Sequence, residues 1–253
     1  METSDDDFLG GLVKCLQPKQ GFRAGLDTVM LAAACPAGPG DRVIEPGCGP
    51  GVAAICLARR TGTRVIGVDN DAHALSLAAR NAHRNGLADG VTLVEADVTA
   101  KGRLLAALGL APESCDHAIV NPPYLIEGAA TPPPVQAHAF AGPDGLLAAW
   151  GKFVTRMVKP GGTLTFVHRA DHLATLLAAL EGRAGGARIF PLWPAPRSTG
   201  KPASRILVQA TKGSRAPLAL LPGLVLHGAD GRFTGQAWDV LRKGTALTIG
   251  PRP

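Results

Sequence analysis

Glu45-Pro46-Gly47-Cys48-Gly49-Pro50-Gly51 sets three glycines at G-x-G-x-G spacing between an apolar run and a helix-like run. Glycine lets a backbone turn tightly and approach a ligand closely. Asp69 follows Glu45 by 24 positions, in Val68-Asp69-Asn70. A carboxylate there can accept hydrogen bonds from ribose hydroxyls. Glu95-Ala96-Asp97 then offers a carboxylate to an adenine amine. Together the loop, Asp69 and Asp97 indicate an adenosine-bearing ligand. A dinucleotide is disfavoured, because Val52 stands where the G-x-G-x-x-G fingerprint needs its third glycine.

These side chains need a scaffold that brings them to one edge. Apolar runs at 42–45, 64–68, 91–94, 117–120 and 163–168 read as strands. Helical periodicity falls between and after them, at 52–60, 72–85, 103–108, 146–158 and 172–180, with Gly86 and Pro160-Gly161-Gly162 as stop signals. Two more strand-like runs, 188–192 and 205–210, give an α/β fold with a seven-stranded, mostly parallel sheet and helices on both faces. Ligands of such sheets bind beyond the carboxyl ends of the strands, where the residues above lie. Residues 1–12 read as flexible, and 26–34 as a short helix with Asp27 near its N-cap. Runs at 218–221 and 224–226 and a helix at 235–241 close the chain. The expected division is an N-terminal segment 1–40, a core domain 41–212 and a basic extension 213–253 packed on that domain.

Of the 253 residues, 46% are hydrophobic and 18% charged, which argues against disorder and coiled coil. The 32 glycines and 21 prolines show no Gly-X-Y period, which excludes collagen. Cys15, Cys35, Cys48, Cys56 and Cys115 form no C-x-x-C pair, so reduced thiols in the cytoplasm are expected, with no zinc site. His168 and His172 do not share a helix, and no metal is expected there. The acidic start is the wrong charge for a signal peptide, and charges interrupt every long apolar stretch, so no membrane span is expected. The net charge of +6 is divided unevenly. Residues 1–182 carry 15 basic and 18 acidic side chains, and 183–253 carry 11 basic and 2 acidic. A basic end on a slightly acidic body suits a polyanion, nucleic acid first. Arg197, Lys201 and Arg205, around the loop between the last two long strands, are the first candidates for phosphate contacts.

The fourth predicted strand ends in Asn121-Pro122-Pro123-Tyr124. In register with the glycine loop and Asp69 over 41–168, this motif resembles that of the S-adenosyl-L-methionine-dependent amino-methyltransferases. Gln20-Gly21-Phe22-Arg23-Ala24-Gly25-Leu26-Asp27, Ser204-Arg205-Ile206-Leu207-Val208-Gln209 and Leu224-Val225-Leu226-His227 further resemble the bacterial tRNA(Val) adenine-N6 methyltransferase family. The likeness spans most of 18–242. It implies a Rossmann-like class I methyltransferase fold, S-adenosyl-L-methionine as cofactor and S-adenosyl-L-homocysteine as product.

The resemblance also implies roles. Asp27, Glu45, Gly47, Gly49, Gly51, Asp69, Asn70, Asp97 and Asn121 would hold the cofactor. The Asn121 side-chain oxygen and the Pro122 carbonyl would accept from the target amine. Pro123 and Tyr124 would hold the base, Tyr124 by stacking. The expected reaction is N-methylation of an adenine exocyclic amine in RNA, tRNA being the first candidate. A protein glutamine amide is an alternative acceptor, though the enzymes of that kind carry a helical domain where about 40 residues stand here. A DNA adenine ranks below both, and an RNA-binding protein that keeps the fold is a non-enzymatic alternative. Oligomeric state is not legible.

Overall fold

The structure, a computed structural model, describes residues 2–123 and 142–250. One nine-stranded sheet organises them. Its parallel core comprises β3 (Arg42–Pro46), β4 (Arg64–Asp69), β5 (Val91–Glu95), β6 (Cys115–Val120) and β7 (Val158–Arg169). Strand β9 (Arg205–Lys212) runs antiparallel between β7 and β8 (Ala184–Trp193). The order is β5-β4-β3-β6-β7-β9-β8. Two-residue strands β10 (Ala219–Leu220) and β11 (Leu224–Val225) both pair with β8. The seven long strands are those expected, and the last two are short additions at one edge.

Alternation along the strands feeds two cores. Val43, Val65, Val167 and Leu207 face α1 (Leu26–Ala34), α2 (Val52–Thr61) and α7 (Gly235–Lys243). Ile44, Ile66, Phe166, Ile206 and Val208 face α4 (Gly102–Ala107), α5 (Gly142–Met157) and α6 (Leu173–Leu180). Both faces of the sheet are thus covered, as parallel strands require. The remaining helix, α3 (Ala72–Arg84), starts at Asp71, whose side chain accepts from the His73 N–H.

Two expectations need correction. Residues 1–12 are not a loose end: β1 (Thr3–Phe8) pairs antiparallel with β2 (Val13–Pro18). In β2 the alternate residues Val13, Cys15 and Gln17 are buried. The acidic run of β1 is held by cations, Asp5 by Arg84 and Asp6 by Arg23, each at 2.6 Å. Asn81 and Asn85 of α3 hydrogen-bond the backbone of Leu16 and Lys14, which fastens the hairpin to the body. The second correction concerns Pro160-Gly161-Gly162: the helix stops ahead of it, at Met157, as expected, but the strand expected from 163 already starts at Val158. Strand β7 runs through these three residues, with a register shift against β6 between Cys115 and His117. Such a bulge absorbs the extra residues.

Candidate active site

Sheet order reverses between β3 and β6, and a cavity of about 510 Å³ opens at the carboxyl edge there. That is where open α/β sheets leave room for a ligand. Gly47, Gly49, Asp69, Asn70, Asp97 and Asn121 all line it. Gly47 has φ +62°, and a side chain at this position would overlap the Trp150 indole. Gly49 has φ +52°, with nothing within 4 Å of where a Cβ would stand. Both positions favour glycine, the first for packing and backbone and the second for its left-handed backbone.

The Gly49 N–H donates to Asp69 Oδ2 at 2.8 Å, and the Asp71 N–H donates to Asp69 Oδ1 at 3.0 Å. Among the described residues, the carboxylate is thus aimed by backbone N–H groups. Each oxygen retains acceptor capacity for one further donor, which suits a pair of ribose hydroxyls. Asp97 Oδ1 accepts from the Thr99 N–H at 2.8 Å and from Thr99 Oγ1 at 2.7 Å, which fixes a second carboxylate at the wall.

Two expected ligand contacts lie elsewhere. Gly51 is the N-cap of α2, and a Cβ added there would stand 3.0 Å from the Ala78 Cβ. Glu45 does not line the cavity; it is buried, 4% exposed, on the side of β3 that faces α2. Burial pushes its carboxyl up to about 8, with Asp69 adding to the rise and the Ala54 backbone opposing it. Its Oε2 has no hydrogen-bond partner among the described residues. At neutral pH Glu45 therefore holds its proton beneath the loop.

A second cavity, about 200 Å³, opens at the start of α1 and borders Asn121 from the other side. The N-cap there is Gly25, which brings no side-chain acceptor, so the first-turn N–H groups suit an anion. Thr28 is buried at 5% exposure, and its Oγ1 has no partner among the described residues. Asp27 Oδ2 accepts from Arg205 Nε at 2.7 Å. First-turn N–H groups and a hydroxyl beside a pinned carboxylate match an amino-acid zwitterion. The two cavities together fit a ligand with an adenosine end and an amino-acid end. Arg205, expected on phosphate, is instead engaged with this carboxylate.

Asn121, Pro122 and Pro123 follow the end of β6. Tyr124 lies outside the described residues. Arg197 and Lys201 are exposed, at and just past the short 3-10 turn Arg197–Thr199. Sequence reading missed the apolar walls: Phe22 beyond the hairpin, Leu77 of α3, and Leu146 and Trp150 of α5. The i, i+4 spacing of Leu146 and Trp150 marks a buried helix face, but not which cavity it meets. The rings of His168 and His172 lie 5.2 Å apart, and among the described residues no group of three metal-ligating side chains occurs. Among them, too, no helix is long and apolar enough to cross a membrane.

Residues 37–182 match the family described as "Methyltransferase domain". A tRNA1(Val) (adenine(37)-N6)-methyltransferase of Dickeya chrysanthemi is 27% identical, over 84% of this chain and 83% of its own. The Type II methyltransferase M.TthHB8I of Thermus thermophilus is 31% identical, over 83% of this chain but 44% of its own length. Among solved structures, protein Atu636 of Agrobacterium tumefaciens, described as a predicted O-methyltransferase, superposes with a TM-score of 0.76. It is 27% identical, with 89% of this chain and 100% of that chain covered.

Proposed function

The chain belongs to the S-adenosyl-L-methionine-dependent methyltransferases, and we propose that it methylates the exocyclic amine of an adenine in RNA, tRNA first. The observation that carries this reading is the position of Asn121-Pro122-Pro123. It follows β6 at the sheet's switch point, with Asn121 bordering both the cofactor cavity and the cavity at α1. The similarity to a tRNA adenine-N6 methyltransferase over most of both chains supports the same acceptor.

Bound S-adenosyl-L-methionine supplies a methyl group already activated on a sulfonium. The chain's own task is then binding and orientation. Asp69 and Asp97 hold the adenosine end, while Asp27, Thr28 and the start of α1 hold the methionine end. An aromatic amine is a weak nucleophile because its lone pair is delocalised into the ring. Acceptors near its two N–H groups draw the nitrogen toward a tetrahedral shape and free that lone pair. Asn121 Oδ1 and the Pro122 carbonyl take this role, on a backbone stiffened by consecutive prolines. Tyr124 stacks on the base, and no general base is assigned.

The test incubates the protein with bulk tRNA and labelled methyl donor, then digests the RNA and identifies the labelled nucleoside. Label in N6-methyladenosine is expected. Label in another nucleoside, or only in protein glutamine, contradicts the reading.

A further inference from the structure

Among the described residues, three arginines at the carboxyl edge of the sheet or beside it are neutralised. Arg23 pairs with Asp6, Arg205 with Asp27, and Arg169 with Asp171. Arg197 differs. Its guanidinium lies over the Trp193 ring, 5.2 Å from the centroid, and donates to the Pro222 carbonyl. Both partners are neutral, so its orientation is fixed while its charge remains. Trp193 is itself fixed, because its indole N–H donates to the same carbonyl at 3.1 Å. The guanidinium carbon lies over the indole, and Arg197 is exposed, so the side chain is held against the ring and open to solvent.

A planar cation held by neutral groups and open to solvent is a seat for a nucleobase and its phosphate. Ordering a long side chain on binding normally weakens affinity, and here that ordering precedes binding. Position narrows the occupant. Trp193 ends β8, and β8 is separated from β6 by β9 and β7. Three strand spacings of about 4.8 Å put the seat roughly 14 Å from the strand that carries Asn121. A base there cannot be the one being methylated. Exposed Lys201 stands four residues further along the chain, in keeping with a backbone track.

We propose that Trp193 and Arg197 form a second nucleotide seat, which stacks a base of the RNA flanking the methylated adenine. This rests on the reading of RNA as the acceptor, and it assigns the basic end a stacking contact rather than a diffuse charge.

The test measures binding of a fluorescent 12-nucleotide single-stranded RNA and of bulk tRNA across a salt series. The variants are Arg197→Ala, Arg197→Lys, Trp193→Phe and, as a control on the opposite edge of the sheet, Arg64→Ala. Arg197→Ala is expected to weaken binding about tenfold, the size of one stacked base, and to flatten the salt dependence. Arg197→Lys keeps the salt slope but loses most of the affinity, since an ammonium cannot stack. Trp193→Phe, which removes the indole donor, loses part of it, and Arg64→Ala matches wild type. Calorimetric affinity for S-adenosyl-L-homocysteine stays level throughout, which shows that each variant is folded. If Arg197→Lys equals wild type, the stacking seat is wrong and only charge matters. If Arg197→Ala also equals wild type, there is no seat, while RNA methylation stands. If wild type binds neither RNA and methylates a peptide glutamine instead, both this inference and the RNA reading fall.

Discussion

Asp69, at the end of β4, and Arg197, past the end of β8, are charged side chains at the same edge of one sheet, but different groups hold them. Asp69 is aimed by two backbone N–H groups at the floor of a cavity. Arg197 is aimed by an indole face and a carbonyl at the surface. The first arrangement suits the hydroxyls of a small enclosed ligand, and the second suits the RNA proposed above. Between them Arg205 and Asp27 neutralise each other across 178 positions of chain. The pair separates an acidic side from a basic side, so each can be perturbed alone.

The largest effect concerns a group that only looks part of the acidic side. The folded-state value of Glu45 is raised from 4.5 to about 8, so the folded chain keeps a proton that the unfolded chain releases. Stability then falls as pH rises from about 4.5 to about 8 and levels off above. Glu45→Gln removes this slope and gains up to about 4 kcal/mol at pH 8. Urea unfolding at pH 5 and pH 8 measures it, and an unchanged slope means that Glu45 is ionised. Next, Gly47→Ala is expected to lose about 3 kcal/mol, from a left-handed backbone and the clash with Trp150. Adding Trp150→Ala should restore the steric share and not the backbone share, so the two substitutions will not be additive.

Asp69→Asn follows, with cofactor affinity down about tenfold or more and RNA affinity unchanged. A fall in both would show that the two sides are not separate. The smallest effect belongs to Arg205→Ala. It frees the Asp27 carboxylate to move, so cofactor affinity drops several-fold while the salt dependence of RNA binding stays put. A flatter salt dependence would return Arg205 to the RNA surface.

The residues legible in the sequence share one property. Gly47, Gly49, Asp69, Asp97 and Asn121 each sit at or shortly after the end of a strand, and strand ends are set by local pattern, so chain order alone carried them to one edge. Glu45 was misplaced although its pattern was readable. Period two puts it on the same side of β3 as Val43, under α2, rather than in the cavity. Phe22, Leu77 and Trp150 were not legible, because which side of a helix or loop meets a cavity depends on tertiary packing. The hairpin was hidden by its composition. Ser4 to Asp7 reads as a solvated acidic run, and it is the pairing with β2, with Arg23 on Asp6 and Arg84 on Asp5, that holds it as a strand. Arg205 looked like its basic neighbours until its partner, Asp27, was in view.

The central claim is that Asn121 acts on the acceptor amine at the junction of two preformed cavities. The direct measurement pairs calorimetry with single-turnover methyl transfer for Asn121→Ala, using bulk tRNA. The account predicts affinity for S-adenosyl-L-homocysteine within a few-fold of wild type and transfer slower by about 100-fold or more. Transfer near the wild-type rate, or a loss explained wholly by cofactor affinity, would contradict it.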